Sequence, residues 1–175
     1  MLPHTRWLKL IRINESYMPD SKTSTITRTK LIELLNEDLS REYQAIIAYV
    51  TYSQVIKGAK YMNIAGELEV HAREELAHAL TLAGQIDYLG GTPTVIAKVV
   101  KTSEKPDDML RFDLDNENET IKNYRIRVRQ CEDLGEYAVA EKIRGILVQE
   151  QEHQIDLANA LGVNVPDVTK WNEQA

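Results

Sequence analysis

Two halves of this chain carry the same polar residues, 75 positions apart, at places where a packed helix needs leucine. In residues 143–161 the apolar residues Ile143, Ile146, Leu157 and Leu161 recur at helical spacing. The positions between them on that stripe are Glu150 and His153. Three other segments behave alike. One stripe reads Ile64, Leu68, His71, Glu75, His78 and Leu82; another reads Leu31, Leu35, Leu39, Glu42, Ile46 and Tyr49. The last reads Leu110, Leu114, Glu117, Ile121, Tyr124, Val128 and Cys131. A single offset of 75 maps Glu42 onto Glu117, Tyr49 onto Tyr124, Glu75 onto Glu150 and His78 onto His153. Each half thus holds a glutamate followed 33 residues later by Glu-x-x-His. Burying an unpaired carboxylate costs several kcal/mol or more, so the set requires compensation.

Glycine and proline are scarce inside four long periodic segments, which predicts helices over about 29–56, 61–89, 106–135 and 136–161. Lys57-Gly58-Ala59, Gly90-Gly91-Thr92-Pro93 and Gly162 punctuate them, with Pro106, Asp107 and Asp108 opening the third. Short links after the first and third helices predict antiparallel hairpins. About 16 residues, GGTPTVIAKVVKTSEK, join the hairpins, and the β-branched run Val95 to Val100 suggests a short extended piece there. Two hairpins and one long crossover describe an all-α, ferritin-like four-helix bundle over residues 28–162. Residues 1–27 read as a basic extension and 163–175 as a short tail or short fifth helix.

In such a bundle the spacing of 33 brings each lone glutamate level with its Glu-x-x-His, and packing the hairpins together converges six ligands at mid-bundle. Four carboxylates and two imidazoles suit two divalent first-row metals, iron or manganese. Four negative charges balance two M²⁺ ions, so a filled site can stay buried. The expected metal ligands are Glu42, Glu75, His78, Glu117, Glu150 and His153, with Glu75 and Glu150 bridging. Tyr49 and Tyr124, two turns beyond Glu42 and Glu117, are placed to donate a hydrogen bond or an electron, and Tyr49 is the candidate catalytic residue. His71 shares the ligand face, but Ile146 stands at its counterpart position.

From about residue 29 to 161 the chain resembles bacterioferritin and its non-haem ferritin-like relatives. LNEDLSREYQAIIAY resembles the first helix, HAREELAH carries the first Glu-x-x-His, MLRFDLDNENE the helix-three glutamate and VQEQEH the second pair. The resemblance implies a ferroxidase, oxidising two Fe²⁺ with O₂ or H₂O₂ for storage or detoxification in a hollow homo-oligomeric shell. Two departures qualify it. Leu76 stands where the family has its haem-ligating methionine, which argues against haem. Only nine residues follow Pro166, too few for the substantial fifth helix of 24-subunit shells, which leaves a shell of twelve or a dimer open. The competing reading is a soluble di-iron or di-manganese oxidoreductase without mineral storage: a rubrerythrin-like peroxidase, a hydroxylase or a catalase. Against the peroxidase, Thr120 occupies the place of that family's additional glutamate, and rubredoxin-type cysteines are missing.

Charge enters at one point. The chain carries a net −6, yet residues 1–30 hold six basic side chains against Glu15 and Asp20. Such a leader can bind nucleic acid, although a solvated extension is the simpler account. It does not have the unbroken apolar core or cleavage site of a secretory signal. No apolar run reaches the roughly 18 residues of a membrane span, and one cysteine, Cys131, excludes an internal disulfide, which fits the cytoplasm.

Overall fold

The computed structural model describes residues 26–168, and four helices account for most of them: α1 (Arg28–Val55), α2 (Met62–Tyr88), α3 (Pro106–Asp133) and α4 (Tyr137–Leu161). The basic leader, with its nucleic-acid reading, lies outside the described residues up to position 25, as does the tail from residue 169. Local chemistry sets the helix ends. Thr27 caps α1, its hydroxyl accepting from the Lys30 N–H at 3.1 Å. Pro106 and the acidic pair Asp107 and Asp108 occupy the first turn of α3, where a missing N–H is harmless and negative charge suits the helix dipole. Gly162 ends α4 with φ 68°, a left-handed conformation that glycine adopts without strain. Beyond it, residues 163–167 form no helix.

α1 packs on α2 and α3 on α4 as antiparallel hairpins. Among the described residues no strand forms, and Val95 to Val100 is no exception. A lone extended segment has no partner edge, so α1 satisfies the crossover's backbone instead. Ser40 Oγ donates to the Ile96 carbonyl at 2.7 Å, Gln44 to that of Val99 at 2.6 Å, and the Ser40 carbonyl accepts from the Lys98 N–H at 3.0 Å. Tyr52 donates to the Lys101 carbonyl. The crossover starts at Gly91, where a Cβ would stand 2.4 Å from Ile32 Cγ2; only glycine permits that approach.

The apolar core is split in two. Leu31, Leu35, Leu39, Leu82, Ile86, Val139 and Ile143 fill one end of the bundle. Tyr52, Ile64, Leu68, Leu110, Leu114 and Leu157 fill the other. The polar set lies between them. In the first core Arg127 grips Asp38 with two hydrogen bonds, Nε at 2.6 Å and Nη2 at 3.2 Å, both partners buried. Removing one partner of such a pair strands a buried charge. Arg127→Ala is therefore expected to destabilise the fold by about 3–5 kcal/mol, read from urea unfolding at fixed protein concentration.

Candidate metal centre

Each helix contributes at mid-length: Glu42 from α1, Glu75 and His78 from α2, Glu117 from α3, Glu150 and His153 from α4. None of the six is more than 3% exposed, so their charges are almost fully desolvated. They form two groups of four. Glu42, Glu75, His78 and Glu150 make one, and Glu75, Glu117, Glu150 and His153 the other, each with donor atoms within 4.8 Å of one another. Glu75 and Glu150 belong to both.

His78 Nδ1 lies 3.4 Å from Glu42 Oε2, 3.2 Å from Glu75 Oε2 and 3.1 Å from Glu150 Oε1. His153 Nδ1 lies 3.0 Å from Glu75 Oε1, 3.5 Å from Glu150 Oε2 and 4.0 Å from Glu117 Oε1. His78 Nδ1 pairs with Glu75 Oε2 at 3.2 Å, but most of the set stays unpaired. Glu42 Oε2, Glu75 Oε1, both Glu150 oxygens and His153 Nδ1 have no hydrogen-bond partner, although each is buried. Native interiors leave few such atoms unsatisfied, and here they converge on shared points. That donor set fits two divalent cations: hard carboxylates and imidazole nitrogens, four negative charges, no sulfur.

Electrostatics divides the carboxylates. Burial, reinforced by the Glu75 and Glu150 charges, pushes Glu42 and Glu117 well above the usual carboxylate range. Burial acts on Glu75 and Glu150 as well, but the close approach of Glu42 to the first, of Glu117 to the second and of the His78 and His153 rings to both outweighs it and holds both below that range. The histidines respond in kind. Burial opposes their charge, yet the surrounding carboxylates raise both, His153 to about 12.

The tyrosines cross between hairpins. Tyr49 donates to Glu117 and Tyr124 to Glu42, rather than to the glutamate on its own helix. The reason is topological: α1 and α3 run antiparallel, which sets Tyr49 level with Glu117 and Tyr124 level with Glu42. Burial raises both phenols far above their ordinary value, so they remain donors.

Two site residues escaped the sequence reading. His153 Nε2 lies 2.8 Å from Glu74 Oε2, and His78 Nε2 lies 2.9 Å from Gln149 Oε1. Gln149 also donates to Glu74 Oε1 at 3.2 Å, which closes a bridge between the two imidazoles. With Nε2–H directed at oxygen, each ring presents Nδ1 to the carboxylates. The same offset of 75 relates Glu74 to Gln149, so the repeat held the signal one position before each Glu-x-x-His glutamate.

The space among the carboxylates is small, about 10 Å³, lined by Glu42, Glu75, Glu117, Glu150, Asn116 and Thr120 among others. On the α2–α4 face a groove of about 550 Å³, lined in part by His78, Gln149 and Ile146, opens toward the centre. Leu76 lies on the outer α1–α2 face, 52% exposed. Among the described residues, no helix is long and apolar enough to cross a membrane.

Comparison with known proteins agrees with this geometry. The ferritin-like domain family matches residues 32–163. A bacterioferritin of Desulfovibrio desulfuricans is 30% identical over 128 residues, covering 72% of this chain and 71% of that protein. A ferritin-like diiron-carboxylate protein of Bacillus anthracis superposes with a TM-score of 0.74 at 36% identity, covering 77% of this chain and 96% of that one. A dodecameric thioferritin, the bacterioferritin-related protein of Bacteroides fragilis, superposes with a TM-score of 0.72 at 26% identity, over 85% of this chain and 91% of that one. The chain belongs to the ferritin family, with bacterioferritins among its relatives.

Proposed function

We propose that this protein is a ferroxidase, taking two Fe²⁺ ions as substrate at the centre between the hairpins and oxidising them with O₂ or H₂O₂. Family membership supports iron storage or oxidation in general terms; the finer reading rests on this chain's residues. Glu75 and Glu150, common to both donor groups, would be shared by the two ions. Glu42 with His78 completes one site and Glu117 with His153 the other. Each Fe²⁺ gives up one electron, and one oxidant molecule accepts the pair. Tyr124 and Tyr49 hold the two terminal carboxylates, while Glu74 and Gln149 hold the imidazoles. Tyr49, at Glu117, is the catalytic candidate among them.

The observation that carries the proposal is the set of six buried donors, whose four carboxylates line a cavity of only about 10 Å³. That volume admits about one water-sized molecule, the scale of O₂ or peroxide, as iron oxidation requires. Manganese would satisfy the same ligands, and the metal supplied in the cell decides between them. The shell-forming relatives support homo-oligomeric assembly, and the free, buried Cys131 suits a reducing cytoplasm.

Storage is tested by adding excess Fe²⁺ in air at neutral pH, desalting, and counting iron retained per chain. Many tens of ions per chain are expected, since mineral needs an enclosed cavity. About two per chain would mean that the centre works without storage, the behaviour of a soluble di-iron oxidoreductase. The positioning role of Glu74 has its own test. Glu74→Ala frees the His153 ring and is expected to weaken metal affinity on the order of 10–100-fold, measured by chelator competition without oxidant.

A further inference from the structure

The narrow space among the carboxylates opens between α1 and α3. Besides the glutamates, α1 lines it with Arg41, Gln44 and Ala45, and α3 with Asn116 and Thr120. Arg41, Ala45 and Asn116 are half-buried and form the rim, whereas Thr120 is only 8% exposed. Arg41 Nη2 meets Glu119 Oε1 at 2.5 Å, which ties the guanidinium across from α1 to α3.

The offset of 75 relates the two sides, Arg41 to Asn116 and Ala45 to Thr120. A methyl group serves at Ala45, so packing does not require a hydroxyl at its counterpart. Among the described residues, neither the Thr120 hydroxyl nor the Asn116 amide has a hydrogen-bond partner. Polar groups set this far into a packed bundle are normally paired. These two stand one turn apart on α3, on either side of Glu117 in sequence, and both line the space that an oxidant must enter.

O₂ and H₂O₂ differ little in size, so volume does not choose between them. Hydrogen bonding does. O₂ is apolar and a poor acceptor, whereas H₂O₂ both donates and accepts. A hydroxyl and a carboxamide each offer a donor and an acceptor in return. At the rim Arg41 adds a permanent positive charge and further N–H donors, which suit a polar oxidant and disfavour entry of a cation there.

We propose that Thr120 and Asn116 form a subsite that selects hydrogen peroxide over O₂ as the oxidant, with Arg41, tied by Glu119, at its rim. That selection rests on the ferroxidase reading and names the oxidant which that reading leaves open. Two Fe²⁺ give one electron each to H₂O₂, its O–O bond breaks, and two Fe³⁺ and two hydroxides result. Thr120 and Asn116 hold the peroxide beside the carboxylates and exchange no electron themselves.

The test is stopped-flow oxidation of Fe²⁺ by the full-length protein, with H₂O₂ under anaerobic conditions in one series and O₂ alone in the other. Initial rates give kcat/KM for each oxidant, and the wild-type value is expected to be higher for H₂O₂. Thr120→Val keeps the side chain's shape without the hydroxyl, and the ratio of the two constants is expected to fall about tenfold, the scale of one hydrogen bond. Thr120→Ser keeps the hydroxyl and is expected to keep the ratio. A wild type that favours O₂ or treats both alike, or a ratio unchanged in Thr120→Val, would overturn the subsite and leave the ferroxidase reading standing. An equal fall in Thr120→Ser would also overturn it, since the methyl group and not the hydroxyl would then matter. Slow oxidation by wild type with both oxidants would overturn the ferroxidase reading, and the subsite with it.

Discussion

Glu150→Ala is expected to abolish rapid Fe²⁺ oxidation, with the initial rate in air falling by more than about 100-fold. Removing Glu74, which only orients a ligand, sets the lower bound of that scale. Glu150 contributes to both donor groups, and its two buried oxygens have no hydrogen-bond partner, so its loss disables both ion positions at once. Glu75→Ala should behave the same way. Loss at Glu42 or Glu117 affects one position directly, and a larger residual rate is expected. Absorbance of ferric product in a stopped-flow experiment reads all four variants. Loss of Glu150 also leaves a buried imidazolium of the metal-free centre without its balancing carboxylate, so the variant is expected to be less stable than wild type without metal. Circular dichroism of the metal-free protein separates a lost site from a lost fold.

Metal loading at neutral pH is expected to release about four protons per chain. The count follows from the shifts at the centre. In metal-free protein burial and the neighbouring carboxylates push Glu42 and Glu117 well above the usual carboxylate range, the direction that retains their protons, and the surrounding carboxylates raise His78 and His153, the direction that retains theirs. Glu75 and Glu150 are held ionised. Two carboxylates and two imidazolium rings cancel. Two M²⁺ ions against four carboxylates also cancel, so loading exchanges protons for metal at constant charge and keeps the buried layer neutral in both forms. The sign is unambiguous: acid competes with metal, and the overall binding constant for the pair falls about ten-thousandfold per pH unit while all four protons are exchanged. Calorimetry in buffers of different ionisation enthalpy counts the protons. Release of one or none would mean that the carboxylates and imidazoles are not charged as argued.

Much of this was legible in the sequence because the chemistry that ends helices is local. Pro106 with its acidic neighbours and Gly162 mark their helix ends within a residue or two. The six donors were legible for a different reason. They violate the apolar stripe, and they do so twice at one offset. What stayed hidden depends on which residues face one another across helices. Tyr49 was matched to Glu42 on its own helix, whereas its hydroxyl meets Glu117 because α1 and α3 are antiparallel. Val95 to Val100 has the composition of a strand, but a strand exists only with a partner, and α1 side chains took that place. Asp38 also repeats, at Asp113. Its fate differs, since Arg127 answers Asp38 and Tyr52 occupies the corresponding place in the first half. Asp113 Oδ2 has no hydrogen-bond partner, and burial, with the nearby Glu75 charge, pushes that carboxyl well above its usual range.

The most direct test of the central claim is the stoichiometry of the fast phase when Fe²⁺ is added stepwise to metal-free protein in air. The account predicts a rapid phase that grows linearly and saturates at two Fe²⁺ oxidised per chain, the capacity of one pair of ion positions. No fast phase, or one that saturates at a single ion per chain, would contradict a dinuclear centre built from Glu42, Glu75, His78, Glu117, Glu150 and His153.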